Sequence, residues 1–236
     1  ARAANAQLPP YFVVLFASGQ EASQECAYIV DAGTAATSVS VDPLGTVTMS
    51  GYYKIAAAGI DHTNGFDCFI KRFTVDTSGG YIPDSSFGTS GTVNLPYDIG
   101  GSDGNDDYCH AHAVGSDGKI VIVGQAGKAG GGSYAIIDRL TASGQHDGTF
   151  NRAPFFFFED QVNWTNAFNV ARAVAIRTDN LIVVAGYGHV TDPTRAPFAF
   201  GLLRFNVDGR VEHRYTGSEP GSRRGPGVSG IDCPPH

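Results

Sequence analysis

The sequence predicts an all-β fold, a propeller-like array of about three four-stranded antiparallel blades. Three observations carry this. Glycines that follow an apolar strand recur at Gly19, Gly79, Gly144 and Gly209, spaced 60, 65 and 65 residues apart, and a fixed long period marks a repeat architecture. A strand–turn–strand block recurs upstream of three of them. The composition, with 31 glycines and 11% aromatic residues, suits short strands and tight turns, and no window keeps a helical apolar period over three turns.

The first two strands of each blade come from the recurring block: "SVSVDPLGTVTMSGY" (38–52), "AHAVGSDGKIVIVGQ" (111–125) and "ARAVAIRTDNLIVVAGY" (171–187). Leu44-Gly45, Asp117-Gly118 and Asp179-Asn180 supply the turns; Gly and Asn tolerate a left-handed backbone. Gly51, Gly124 and Gly186 fall on one register position. "KIVIVG" and "LIVVAG" are continuously apolar, as strands buried on both faces are. "KRFTVDTSG" (71–79), "DRLTASG" (138–144) and "LRFNVDG" (203–209) supply the third strand. An acid and an aromatic follow each turn: Asp84/Phe87, Asp147/Phe150 and Glu212/Tyr215. The repeated Arg (Arg72, Arg139, Arg204) is expected to pair with the repeated acid. A fourth strand is expected at "GTVNLPYD" (91–98) and "PFFFFED" (154–160). The last blade shows three strands. A β-sandwich is the alternative, although it would not require the fixed register.

These motifs carry a resemblance. "DGKIVIVGQA…YAIIDRLTASGQHDGTFN" and "DSSFGTSGTVNL" resemble the delta-60 repeat, a bacterial propeller-type repeat family of unknown function. The likeness covers residues 37–217; the third copy departs from it, with "GRVEHRYTG" in place of the D-x-x-F-G ending. The resemblance implies a propeller fold and an exported or surface setting, and it implies no catalytic residue.

The organisation that follows is one repeat domain, 1–217. It holds a half-blade (7–36), repeats at 37–110, 111–170 and 171–217, and then a Gly/Pro-rich tail, 218–236. The half-blade would be built on "YFVVLF" (11–16) and "AYIVDAG" (27–33). Closed propellers have four to eight blades, so about three blades leave faces and edges to cover. Assembly with copies of itself, a different subunit, or a longer polypeptide would each supply the cover; a homo- or hetero-assembly is favoured.

A net charge of −7 and a pI near 5.4 argue against nucleic acid and anionic membrane surfaces. No apolar run reaches the length of a membrane span. The Ala4-Asn5-Ala6 pattern and four cysteines, Cys26, Cys68, Cys109 and Cys233, read as a secreted, periplasmic or cell-surface chain with two disulfides. Three pairings are open.

Candidate sites are few. Asp103, Asn105, Asp106 and Asp107 offer hard oxygen ligands on a glycine-rich loop, a chemistry that suits calcium. His110 and His112, two residues apart on a strand, are expected to share a face and could bind a transition metal beside those acids. No GxSxG, HExxH or GxxxxGK[ST] pattern is present. The expected function is therefore an exported, non-enzymatic structural or protein-interaction subunit that needs no cofactor. A carbohydrate-binding propeller using loops such as Tyr187 to His189 is the alternative, and a metal-dependent enzyme ranks third.

Overall fold

A computed structural model describes residues 12–14, 27–29, 34–54, 65–97, 106–128, 131–155, 157, 168–189 and 198–216. These residues form strands and turns only; among them no helix is long and apolar enough to cross a membrane. Two short strands, β1 (Phe12–Val14) and β2 (Ala27–Ile29), pair antiparallel. Three blades follow.

Blade 1 comprises β3 (Thr34–Val41), β4 (Val47–Lys54), β5 (Phe66–Val75), β6 (Tyr81–Pro83) and β7 (Thr92–Leu95). Blade 2 comprises β8 (Asp107–Val114), β9 (Ile120–Gly127), β10 (Ser133–Leu140) and β11 (Ala153–Phe155). Blade 3 comprises β12 (Asn169–Ile176), β13 (Ile182–His189), β14 (Phe198–Phe205) and β15 (Val211–Thr216). Each is an antiparallel sheet in chain order. The first strands β3, β8 and β12 lie side by side and form the inner rim of the array.

The turns form where the sequence places them. Gly45, Gly118 and Asn180 have positive φ, as do Gly79, Gly144 and Gly209 after the third strands. Asp42, Asp76 and Asn206 each accept backbone N–H bonds within their turns.

Two expectations about the fourth strands are corrected. In blades 1 and 2 the outermost strand is interrupted. In blade 1, β6 pairs with the end of β5 and β7 with its middle; in blade 2 a bridge at Leu140–His146 and then β11 play these parts. The Asp-x-[Ser/Thr]-Phe loop fills the gap. Blade 3 lacks that loop, so its outer strand runs on after Gly209 as β15, and the blade has four strands rather than three. Tyr215 therefore pairs with Leu202 inside the sheet and is no counterpart of Phe87 and Phe150.

Blades stack face to face. Blade 1 presents Cys68, Ile70, Phe87 and Leu95 to Ile120, Ile122, Ile136 and Leu140 of blade 2. Blade 2 presents Val121, Val123, Ala135 and Ile137 to Ile182, Val184, Leu203 and Phe205 of blade 3. Of the four cysteines, Cys68 of β5 and Cys109 of β8 form a disulfide across the first interface; Cys26 and Cys233 lie outside the described residues. Closing this 41-residue separation removes unfolded-chain entropy equivalent to about 4 kcal/mol.

Candidate functional site

The residues that repeat are used to stack the blades. Asp84 Oδ1 accepts from Ser86 N (2.9 Å) and Ser86 Oγ (2.6 Å), and Asp147 Oδ1 does the same with Thr149 (3.0 and 2.6 Å). The other oxygen receives the arginine: Arg72 Nε–Asp84 at 2.7 Å and Arg139 Nε–Asp147 at 2.9 Å. The third pair, Arg204 Nε–Glu212, is 3.1 Å, so all three expected pairs form. In blades 1 and 2 the arginine does more. Arg72 Nη1 donates to Ala142 O in the turn of blade 2, and Arg139 Nη1 donates to Val207 O in the turn of blade 3 (2.7 Å). The two guanidinium groups also cover Phe87 and Phe150, at 4.5 and 4.6 Å from the ring centroids. Those rings seat on the next blade's turn glycine: a Cβ at Gly144 would lie 3.0 Å from Phe87, and one at Gly209 would lie 2.7 Å from Phe150.

The carboxylates respond to this setting. The Thr149 hydroxyl, followed by Lys119 and Arg139, holds Asp147 well below the usual range against its partial burial. At Asp84 burial opposes ionisation, but Ser86 and Arg72 outweigh it and the pKa is lowered. Beside each arginine lies a cavity at an equivalent place. The one between blades 1 and 2 is about 350 Å³ and that between blades 2 and 3 about 260 Å³.

A second constellation does not repeat. Each inner strand carries a bulge opposite the shared glycine: between Ala36 and Ser38 facing Gly51, between Cys109 and Ala111 facing Gly124, and between Ala171 and Ala173 facing Gly186. The extra residues are Thr37, His110 and Arg172. A bulge shifts the side-chain alternation by one residue, so His110 and His112 do not share a face as expected. His112 turns towards blade 1, its Nδ1 2.8 Å from Ser50 Oγ and its Nε2 2.9 Å from Ser40 Oγ. It is 6% exposed, and burial pulls its pKa down to about 4. His110 meets Arg172 of blade 3, with Arg172 Nη1 3.2 Å from His110 Nδ1. Burial first, then the Arg172 charge, lower its pKa to about 4.

Around His110 the three blades assemble a ledge. Tyr108 meets Tyr52 at 4.7 Å and Phe66 at 5.5 Å between ring centroids, and the His110 ring runs parallel to it at 6.3 Å. Arg172 sits 5.6 Å from the Tyr187 ring centroid and donates to its hydroxyl at 3.3 Å. Gln125 Oε1 is 3.4 Å from His110 Nε2. Half-buried ring faces beside amide, imidazole and guanidinium donors can stack on a ring and hydrogen-bond its hydroxyls. Tyr187–His189 belong to strand β13 rather than to a loop.

The neighbouring acids separate. Asp106 accepts from Phe66 N (3.1 Å) and from the Tyr108 hydroxyl (2.9 Å). Asp107 is buried and accepts from Tyr97 N at 2.8 Å; Asn169 of blade 3 does the same for Phe157 N at 3.1 Å, so this residue is part of the repeat skeleton. Asp103 and Asn105 lie outside the described residues, and among the described residues no group of three or more His, Cys, Asp or Glu is placed to hold a metal ion.

One cluster was missed in the sequence. Asp138, 1% exposed, lies 3.1 Å from His146 Nδ1, 3.6 Å from Arg152 Nε and 3.4 Å from the Tyr97 hydroxyl. Burial raises its pKa against these partners. The signal was present: its counterparts are Lys71 and Leu203, so an acid at this position departs from the repeat.

The three stacked four-stranded sheets define a β-propeller-type protein. Residues 115–150, from the turn between β8 and β9 to Phe150, match a family described as a β-propeller domain of unknown function, DUF5122. No curated protein matches the chain.

Proposed function

We propose that this chain is an exported, non-enzymatic propeller-type module built on the delta-60 repeat, acting as a structural or protein-interaction subunit within a homo- or hetero-assembly. One observation carries the reading: the ionisable side chains that recur from blade to blade, Arg72/Asp84 and Arg139/Asp147, join each blade to the next. The Cys68–Cys109 disulfide is compatible with an oxidising compartment. Covalent cross-linking in the native setting, followed by peptide identification, tests it. Discrete adducts to a polypeptide, with Cys68 and Cys109 recovered oxidised, are expected. A chain recovered without adducts and with both thiols free would overturn it.

The ledge favours a second reading, carbohydrate binding, through the rings of Tyr52, Phe66 and Tyr108 beside His110 and Arg172. A glycan array decides it: binding abolished by Tyr108→Ala supports it, and no bound glycan sets it aside.

A further inference from the structure

Every blade builds the same backbone feature on the inner rim, and each blade presents different side chains from it. Gly51, Gly124 and Gly186 repeat because a Cβ at any of them would meet a carbonyl oxygen of the facing inner strand. Opposite each glycine lies the bulge, which carries Thr37, His110 or Arg172. The residue after each glycine is Tyr52, Gln125 or Tyr187. A bulge re-aims a side chain and is common beside binding sites. The Arg–acid pairs that join the blades lie elsewhere, so the side chains at these rim positions are free to differ.

The charge at this rim is unbalanced. Arg72, Arg139, Arg152, Arg177 and Arg204 each stand 2.7–3.6 Å from a carboxylate. Arg172 meets none among the described residues. Its partners are neutral: Nη1 donates to His110 Nδ1 at 3.2 Å, Nη2 donates to the Tyr187 hydroxyl at 3.3 Å, and the group lies 5.6 Å from the Tyr187 ring centroid. His110 is neutral above a pH of about 4, so it orients the guanidinium as an acceptor. Asp106, the acid that touches the ledge, is directed to Phe66 N and the Tyr108 hydroxyl. A guanidinium carries five N–H donors in a planar fork, and these neutral acceptors leave part of that fork and all of its charge to be matched. The half-buried rings of Tyr52 and Tyr108 stand next to it, through His110.

We infer that the ledge binds an acidic saccharide, one whose sugar ring carries a carboxylate, with Arg172 taking the carboxylate and Tyr52 and Tyr108 taking the ring. The inference rests on the carbohydrate reading above and names its substrate class. Guanidinium and carboxylate match as a two-pronged pair, and a neutral sugar would leave Arg172 without a counter-charge. A uronic acid and a sialic-type sugar share this chemistry.

Matched pairs of oligosaccharides test it on the full, non-reduced chain: oligogalacturonates against neutral oligogalactosides, and sialylated glycans against the same glycans without sialic acid. An array ranks them and calorimetry measures the best pair. The acidic member is expected to bind about ten-fold more tightly or better, the share of one charge-assisted contact. Arg172→Gln should remove that preference and leave the neutral sugar's affinity unchanged, whereas Tyr108→Ala should abolish binding of both. Arg172 is exposed, so its variant keeps the circular dichroism and melting behaviour of the parent; should Tyr108→Ala fail to fold, Arg172→Gln decides alone. Equal affinity for the two members, or a preference that survives Arg172→Gln, would overturn the inference and leave the carbohydrate reading standing. Binding of acidic oligomers that a folded Tyr108→Ala variant retains would overturn it as charge attraction without a ring site. No binding of either member would remove the inference and the carbohydrate reading together.

Discussion

The guanidinium carbon of Arg139 lies 4.6 Å from the ring centroid of Phe150, and the two side chains reach the next blade together, one through the Val207 carbonyl and the other through Gly209. Arg72 and Phe87 repeat the arrangement one blade earlier. A planar guanidinium can satisfy a carboxylate and a carbonyl while stacking on a ring, which a lysine at this position could not do.

Phe150→Ala is expected to lower stability by about 3–5 kcal/mol, since it empties the contact between blades 2 and 3. Arg139→Ala is expected to cost about 1–3 kcal/mol through the partners it strands. Arg204→Ala, at an exposed edge with a single described acid partner, is expected to cost less than about 1 kcal/mol. Denaturant unfolding of the three variants checks the order; equal effects at Arg139 and Arg204 would reduce the Arg139–Asp147 contact between blades to a surface ion pair.

Stability should fall in two separate acid steps. His112 titrates at about 4 when folded and near 6.5 when unfolded. The unfolded chain therefore takes up the proton first, and stability is lost as pH falls from about 6.5 towards 4, roughly 3 kcal/mol from His112, with His110, also lowered to about 4, adding to the same step. Asp84 and Asp147 have lowered values; what they contribute is present above the unfolded carboxylate value and is lost at lower pH still. Blade 3 carries Val174 where blade 2 carries His112, packed against the apolar cluster that includes Val123. A His112→Val/Ser50→Val double variant should then shrink the first step, leaving the part that His110 contributes, and leave the second unchanged, as read by melting temperature against pH.

Gly124→Ala is expected to be among the most damaging substitutions of a single methyl group. Its Cβ would stand 1.9 Å from the Tyr108 carbonyl oxygen, inside the bulge that seats His110. Neither backbone can yield without breaking the β8–β9 ladder, so a loss of at least about 3 kcal/mol is expected. Gly148→Ala, where a Cβ meets nothing within 4 Å, serves as the control in the same unfolding series.

At the ledge, Arg172→Ala should raise the His110 pKa from about 4, because it removes a positive charge beside the imidazole. The return towards 6.5 should be incomplete, since burial is the larger cause. NMR titration of the imidazole reads this directly; an unchanged value would mean that the two side chains do not meet in solution.

The sequence by itself determined the blade. The turn glycines, the Arg–acid pairs and the doubly apolar second strands are local or periodic features, and each is set by backbone sterics or by which faces must be buried. Tertiary structure decided what those pieces meet. The Asp-x-[Ser/Thr]-Phe loop reads as a turn until the next blade's glycine is placed under its ring. Cys68 and Cys109 could be paired only once β5 and β8 were laid against each other. His110 and His112 looked alike because strand alternation has a period of two; one bulge residue, allowed by Gly124 across the ladder, sent them to different blades. The ledge and the Asp138 cluster draw their residues from strands far apart in sequence, and no spacing along the chain records such neighbours.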